Sequence, residues 1–189
     1  MYYLALDTET GGIGSDKSLL TAYFGILDQD FQIIDQLSLD LIPDDGIYHV
    51  DPNGLAINGI NLIDLAKKAI TYKNAGTQLY QFLNKSIVTE RFTAIGHGIF
   101  SDINRIKTDL ISEGSWYKFV NYGYLDTIVI AEFLKTTGNI PPNLSSGAES
   151  LAGYFGVHGE ISGKPHEARY DALTSVLCLR KMINQVIYD

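Results

Sequence analysis

Three strand-like runs, Tyr2 to Asp7, Leu19 to Leu27 and Phe31 to Leu39, open the chain. Only Asp28-Gln29-Asp30, a turn signal, separates the second from the third, so the three predict an antiparallel meander. The first run is short and apolar and stops at the polar and glycine residues Thr10-Gly11-Gly12. Ile42 to Gly54 then reads as loop, with prolines and consecutive acids. Leu62 to Leu83 reads as helix, with a break expected at Gly76. Phe92 to Ile95 is a short strand running into Gly96-His97-Gly98. After it, Ile99, Ile103, Ile106 and Leu110 recur at i, i+4, i+7 and i+11, one face of a helix. Asn121 to Leu125 reads as a further strand and Asp126 to Lys135 as a helix. Pro141-Pro142 breaks the chain, and Ser145 or Ser146 is expected to cap a short helix through Phe155. In the last helix Ala172, Val176, Leu179, Ile183 and Val186 share a face. A meander followed by alternating helix and strand implies an α/β fold, a mixed sheet flanked by helices. No linker, repeat or low-complexity tract divides residues 1–189, so one domain is expected.

The composition is globular, with 46% hydrophobic and 19% charged residues. No apolar run approaches the length of a bilayer span. Met1 leads directly into Tyr2-Tyr3-Leu4-Ala5-Leu6 without the basic and apolar regions of a signal peptide, so an intracellular protein with no membrane attachment is expected. The lone cysteine, Cys178, excludes an intramolecular disulfide and a thiolate zinc site, and its apolar helical setting reads as a small buried residue. The net charge of −8 argues against tight, sequence-independent binding along a long duplex. It is compatible with gripping a short end.

Three stretches carry chemistry: Asp7-Thr8-Glu9-Thr10, His97-Gly98-Ile99-Phe100-Ser101-Asp102, and His166-Glu167-Ala168-Arg169-Tyr170-Asp171. Asp7 and Glu9 lie two apart on a strand and so point to one face. Alone, that pair fits a hydrated strand end much better than a metal site. Asp102 in a first helical turn also fits a plain helix-start acid, and His166 with Asp171 is weak as an isolated pair. Together they offer four acids and a histidine. Four converging carboxylates raise one another's pKa, and two hard divalent cations are the usual remedy, a pair suited to phosphoryl transfer.

The order of these motifs resembles the DEDDh 3′→5′ exonuclease family, whose members include DNA polymerase proofreading subunits, RNase T and oligoribonuclease. Leu6 to Gly12 looks like its first motif, Gly96-His97 through Asp102 its second, and His166 to Ala172 the histidine form of its third. Tyr124-Leu125-Asp126-Thr127 and Ser150 to Val157 resemble segments between them. Ser101, Gly98 and Asn58 depart from the residues common in the family.

By this resemblance the fold is RNase H-like. Asp7, Glu9, Asp102 and Asp171 hold two Mg²⁺ or Mn²⁺ ions, and His166 is the general base. The implied activity is release of nucleoside 5′-monophosphates from single-stranded or frayed 3′ ends of DNA or RNA, with DNA modestly preferred. Backbone groups from Thr8 through Thr10, Gly11 and Gly12 are expected to meet the terminal sugar and phosphate. His97 is read two ways, as a neighbour of the terminal nucleotide or as a structural residue bonding a loop carbonyl. A replication or repair protein would be a fitting partner, and the oligomeric state is left open. Two rivals remain: a non-catalytic nucleic-acid- or partner-binding module on this fold, and an RNA-specific exoribonuclease.

Overall fold

The computed structural model describes residues 1–85 and 90–187, the last two by backbone alone. The side chain of Val186, which the periodicity puts on the buried face of the last helix, is outside the described set.

The expected meander is present as β1 (Tyr3–Thr10), β2 (Leu19–Leu27) and β3 (Ile33–Ile42), paired antiparallel in that order. The Asp28 carboxylate closes the β2–β3 turn by accepting from the main-chain N–H groups of Asp30 (2.9 Å) and Gln32 (2.8 Å). The chain then runs through α1 (Pro52–Asn58), α2 (Leu62–Ala66), β4 (Ile70–Thr71) and α3 (Tyr72–Leu83). After them come β5 (Phe92–Gly96), α4 (Phe100–Asp109), α5 (Glu113–Phe119), β6 (Val120–Asp126), α6 (Thr127–Thr136), α7 (Ala148–Phe155) and α8 (Ala168–Ile187). The sheet has six strands in the order β4-β3-β2-β1-β5-β6, with β5 parallel to β1 and β6 parallel to β5. Strand alternation divides the core. Leu4, Leu6, Phe24 and Ile26 join Ile99, Ile103, Ile106 and Trp116 on one face. Ala5, Leu27 and Ile95 join Val176 and Leu179 of α8 on the other.

Three local expectations are corrected. The helical stretch after Leu62 breaks at residues 67–71, where β4 intervenes, and runs unbroken through Gly76. Gly76 is there for packing: a Cβ at this position would lie 2.0 Å from the Leu110 carbonyl oxygen. The cap of α7 is Gly147, with no side-chain hydrogen bond, in place of Ser145 or Ser146. Ser146 instead bonds Lys135 and Glu132 of α6. Finally, the segment read as loop through Gly54 turns helical at Pro52, because Asp51 caps it and proline suits the first helical turn.

Candidate active site

The acids approach one another from both sides of the sheet. Asp7 and Glu9 are in phase with Ala5 and so emerge on the face that α8 covers. There Asp171, in the first turn of α8, approaches them. Asp102 comes from the opposite layer, in the first turn of α4. Thr8, in phase with Leu4 and Leu6, secures it: the Thr8 main-chain N–H and hydroxyl both donate to Asp102 Oδ1, at 3.0 and 2.5 Å.

Burial pushes Asp7 well above the ordinary carboxylate range, and the charges of Asp102, Asp171 and Glu9 push it further. Glu9 is raised to about 7, by burial first and then by Asp171 and Asp102. Burial raises Asp102 to about 6 against the lowering pull of its two bonds from Thr8. Asp171 is raised by burial and restrained by the main-chain N–H of His166. No lysine or arginine is among the groups that shift these four acids.

His166 sits in the left-handed region at φ 65°, after Gly163 at φ 131°, and its main-chain N–H donates to Asp171 Oδ2 at 2.8 Å. That bond turns the loop back on α8 and brings the imidazole to the acids. Glu9, His166 and Asp171 each place one ligand atom within 4.8 Å of the other two. Asp7 and Asp102 stand outside that trio. Four carboxylates and an imidazole form a donor set dominated by oxygen, which fits hard divalent cations. Their unbalanced negative charge fits a site built around positive ions.

A cleft of about 510 Å³ opens beside Glu9 and Asp102, lined also by Thr8, Thr10 and Gly12. Gly11 and His97 are not among its lining residues. The Thr8 N–H is occupied by Asp102, the Gly11 N–H by the Ser18 carbonyl at 2.8 Å, and the Thr10 hydroxyl by the Gly12 carbonyl at 2.9 Å. His97 Nδ1 lies 2.8 Å from Thr127 Oγ1, whose hydroxyl lies 3.3 Å from the Gly96 carbonyl. If the single hydroxyl proton goes to that carbonyl, Thr127 accepts from Nδ1–H and Nε2 is left as an acceptor. Burial holds the His97 pKa below its usual value.

Three residues important to the geometry have structural roles that the motifs do not convey: Asp126 and Asn58, which lie in motif segments, and Arg105, which lies in none. Asp126, buried at the end of β6, accepts from Gly98 N–H (3.0 Å), Ile99 N–H (3.2 Å) and Ile128 N–H (2.9 Å). It thereby caps α6 and ties down the turn that launches α4 and Asp102. Its cap position was legible; its grip on the turn at residues 98–99 was not. Asn58 Nδ2 donates to the Thr10 carbonyl at 3.0 Å and fastens α1 to the end of β1. Arg105 donates to the carbonyls of Ser15 (2.8 Å) and Lys17 (2.6 Å) and pairs with Asp109 at 2.6 Å, bracing the loop that walls the cleft.

A six-stranded mixed sheet carrying such a site is an RNase H-like fold, the fold of exonuclease I. The chain is similar over 97% of its length to E. coli exonuclease I in a zinc-ion-bound complex with single-stranded DNA, at TM-score 0.73 and 18% identity, covering 40% of that chain. Product-bound exonuclease I matches 97% of the chain at TM-score 0.72 and 16% identity, with 43% of its own length covered. The ExoI/SSB-Ct complex matches 97% at TM-score 0.71 and 15% identity, with 41% covered. The chain thus spans well under half the length of these structures. No protein-family model and no curated protein sequence matches it. Among the described residues no helix is long and apolar enough to cross a membrane.

Proposed function

We propose that the chain is a DEDDh-type 3′→5′ exonuclease that removes nucleoside 5′-monophosphates from single-stranded or frayed ends, DNA ahead of RNA. In this reading residues 1–189 act as one exonuclease domain. The observation that carries it is the approach of Asp7, Glu9, Asp102 and Asp171 from three separate elements, with His166 tied to Asp171 and no lysine or arginine among the groups that shift them. Asp7, Glu9, Asp102 and Asp171 are the residues that would hold two Mg²⁺ or Mn²⁺ ions. When bound, such ions supply Lewis acidity at the scissile phosphate.

The chain's own residues do the rest. Thr8 orients Asp102 through two hydrogen bonds. The main-chain N–H of His166 holds Asp171, and a ring nitrogen of His166 takes the proton of the attacking water. Thr8, Thr10 and Gly12 line the cleft that would receive the terminal nucleotide. Gly11 supports that wall through Ser18, and His97 supports the base of the second motif through Thr127. Single-stranded DNA in the exonuclease I complexes agrees with this reading.

The test is an oligonucleotide labelled at its 5′ end, incubated with Mn²⁺ or Mg²⁺. Stepwise shortening with release of mononucleotides is expected, and Asp7→Asn should abolish most of it. Internal cuts would overturn the exonuclease reading. Shortening of RNA alone would overturn the DNA preference.

A further inference from the structure

Away from the acids, the outer edge of the sheet carries an unused set of aromatic and basic side chains. β6 is an edge strand. On it Tyr122 is 73% exposed and Tyr124 40% exposed, and Tyr122 stacks on Tyr117 of α5 with ring centroids 4.3 Å apart and planes 26° apart. Large aromatic rings left this open on an edge strand offer flat faces to a ligand. Beside them an open pocket is lined by Arg91, Lys118, Tyr117 and Tyr122. Glu113 also lines it but is engaged by Lys107 at 3.0 Å. Neither Arg91 nor Lys118 has an ion-pair partner among the described residues. In a chain of net charge −8, two cations with no ion pair among the described residues, beside stacked tyrosines, form a local exception.

This patch continues toward the cleft. On α4, Phe100, Asn104 and Lys107 recur at i, i+4 and i+7, one stripe of the helix. At its far end Lys107 Nζ sits 5.3 Å over the ring of Tyr117. At its near end Phe100, 63% exposed, follows the Gly98–Ile99 turn that Asp126 of β6 holds. Ser101, next in sequence, lines the cleft. Phe100, Tyr124 and Tyr122 thus mark a track from the cleft to the basic pocket. The four residue steps from Tyr122 to Asp126 span about 13 Å of strand, room for about four stacked nucleotides.

We infer that this edge is a second binding surface for single-stranded nucleic acid. It holds the strand upstream of the 3′ end by base stacking on Tyr122, Tyr124 and Phe100 and by phosphate contacts to Arg91 and Lys118. Aromatic faces with interleaved cations are the chemistry that binds single strands without reading sequence. An acidic peptide would meet the cations but make little use of three spaced rings. The placement of the 3′ end rests on the nuclease reading above; binding at the edge does not.

The experiment measures fluorescence anisotropy in EDTA, where metal-dependent cutting is suppressed, with a thymidine trinucleotide and a thymidine strand of about twenty nucleotides. The wild-type chain should bind the longer strand more tightly. Tyr122→Ala should weaken that binding by about 5- to 150-fold, the usual range for one stacked base, and Tyr122→Phe should restore it. Arg91→Ala with Lys118→Ala should flatten the slope of log K against log salt by about 1.4, at ~0.7 per single-strand phosphate contact. Trinucleotide binding should be unchanged in every variant, and Lys181→Ala on the exposed side of α8 should change neither ligand. Equal affinity of wild type and Tyr122→Ala for the long strand would overturn the inference. So would an equal loss on the trinucleotide, or an acidic peptide binding at Arg91 and Lys118 where the long strand does not. If no mononucleotides are released with Mn²⁺ but these binding differences persist, the nuclease reading fails and the edge surface stands.

Discussion

Glu9→Gln should make the ion-free protein more stable at pH 8 while greatly weakening its response to Mn²⁺. Burial and the charges of Asp171 and Asp102 raise Glu9 from 4.5 to about 7 in the folded chain. An unfolded chain gives up that proton near its ordinary value. Between those two values the folded state binds more protons than the unfolded state, so stability falls as pH rises. Below about 4.5 the cost is absent, and above about 7 it is complete. A shift of this size is worth about 3 kcal/mol at ~1.4 kcal/mol per pKa unit. Glu9 is only partly buried, and solvent screening reduces that to about 1.5 kcal/mol.

Glutamine occupies almost the same volume without ionising, so it removes the repulsion and leaves the packing. In a domain of this size, about 1.5 kcal/mol raises the melting temperature by about 3–6 °C. Thermal melts of both proteins in EDTA at pH 4.5 and pH 8 test this: the curves should coincide at the acid end and separate at the alkaline end. Adding Mn²⁺ should then stabilise the wild type by about 2.7 kcal/mol at a hundred times its dissociation constant, and the variant by much less. If Glu9→Gln melts at or below the wild-type temperature at pH 8 in EDTA, or if the difference is the same at both pH values, the charge-repulsion argument is wrong.

His166→Ala should lower turnover by about 10²–10⁴-fold while leaving the Mn²⁺-induced shift in melting temperature largely intact; single-turnover kinetics beside thermal melts separate the two. Asp126→Ala removes a helix cap and leaves the N–H groups of Gly98 and Ile99 without their acceptor, a loss of about 3 kcal/mol readable in urea unfolding, with a drop in activity as Asp102 loses its mooring. Gly54→Ala would bring a Cβ within 2.6 Å of Gly12 Cα and 2.8 Å of the Gly11 carbonyl; overpacking of this kind costs about 1–3 kcal/mol, and the same urea titration checks it. An oligonucleotide ending in a 3′-phosphate should resist shortening because its added negative charge meets the carboxylates, and gel analysis beside its 3′-hydroxyl counterpart decides the matter.

The sequence alone determined what depends on neighbours along the chain. Short apolar runs bounded by turn signals made β1, β2 and β3 readable, and the spacing of Ile99, Ile103 and Ile106 gave the buried face of α4. The motif pattern singled out Asp7, Glu9, Asp102, His166 and Asp171. Local signals failed where packing outweighed propensity. Gly76 marks no helix end because Leu110 presses against it, and Ser146 is drawn from a capping role to Lys135 and Glu132.

Only the tertiary structure decided which groups meet. Thr8 reaches Asp102 across 94 positions of sequence, Arg105 reaches Ser15 across 90, and Asn58 reaches Thr10 across 48. Such contacts leave no periodicity in the chain, because they arise where separate elements are brought together at one end of a sheet. The same holds for the raised carboxylates: an acid's type is written in the sequence, but its desolvation and its facing charges exist only once β1, α4 and α8 have packed.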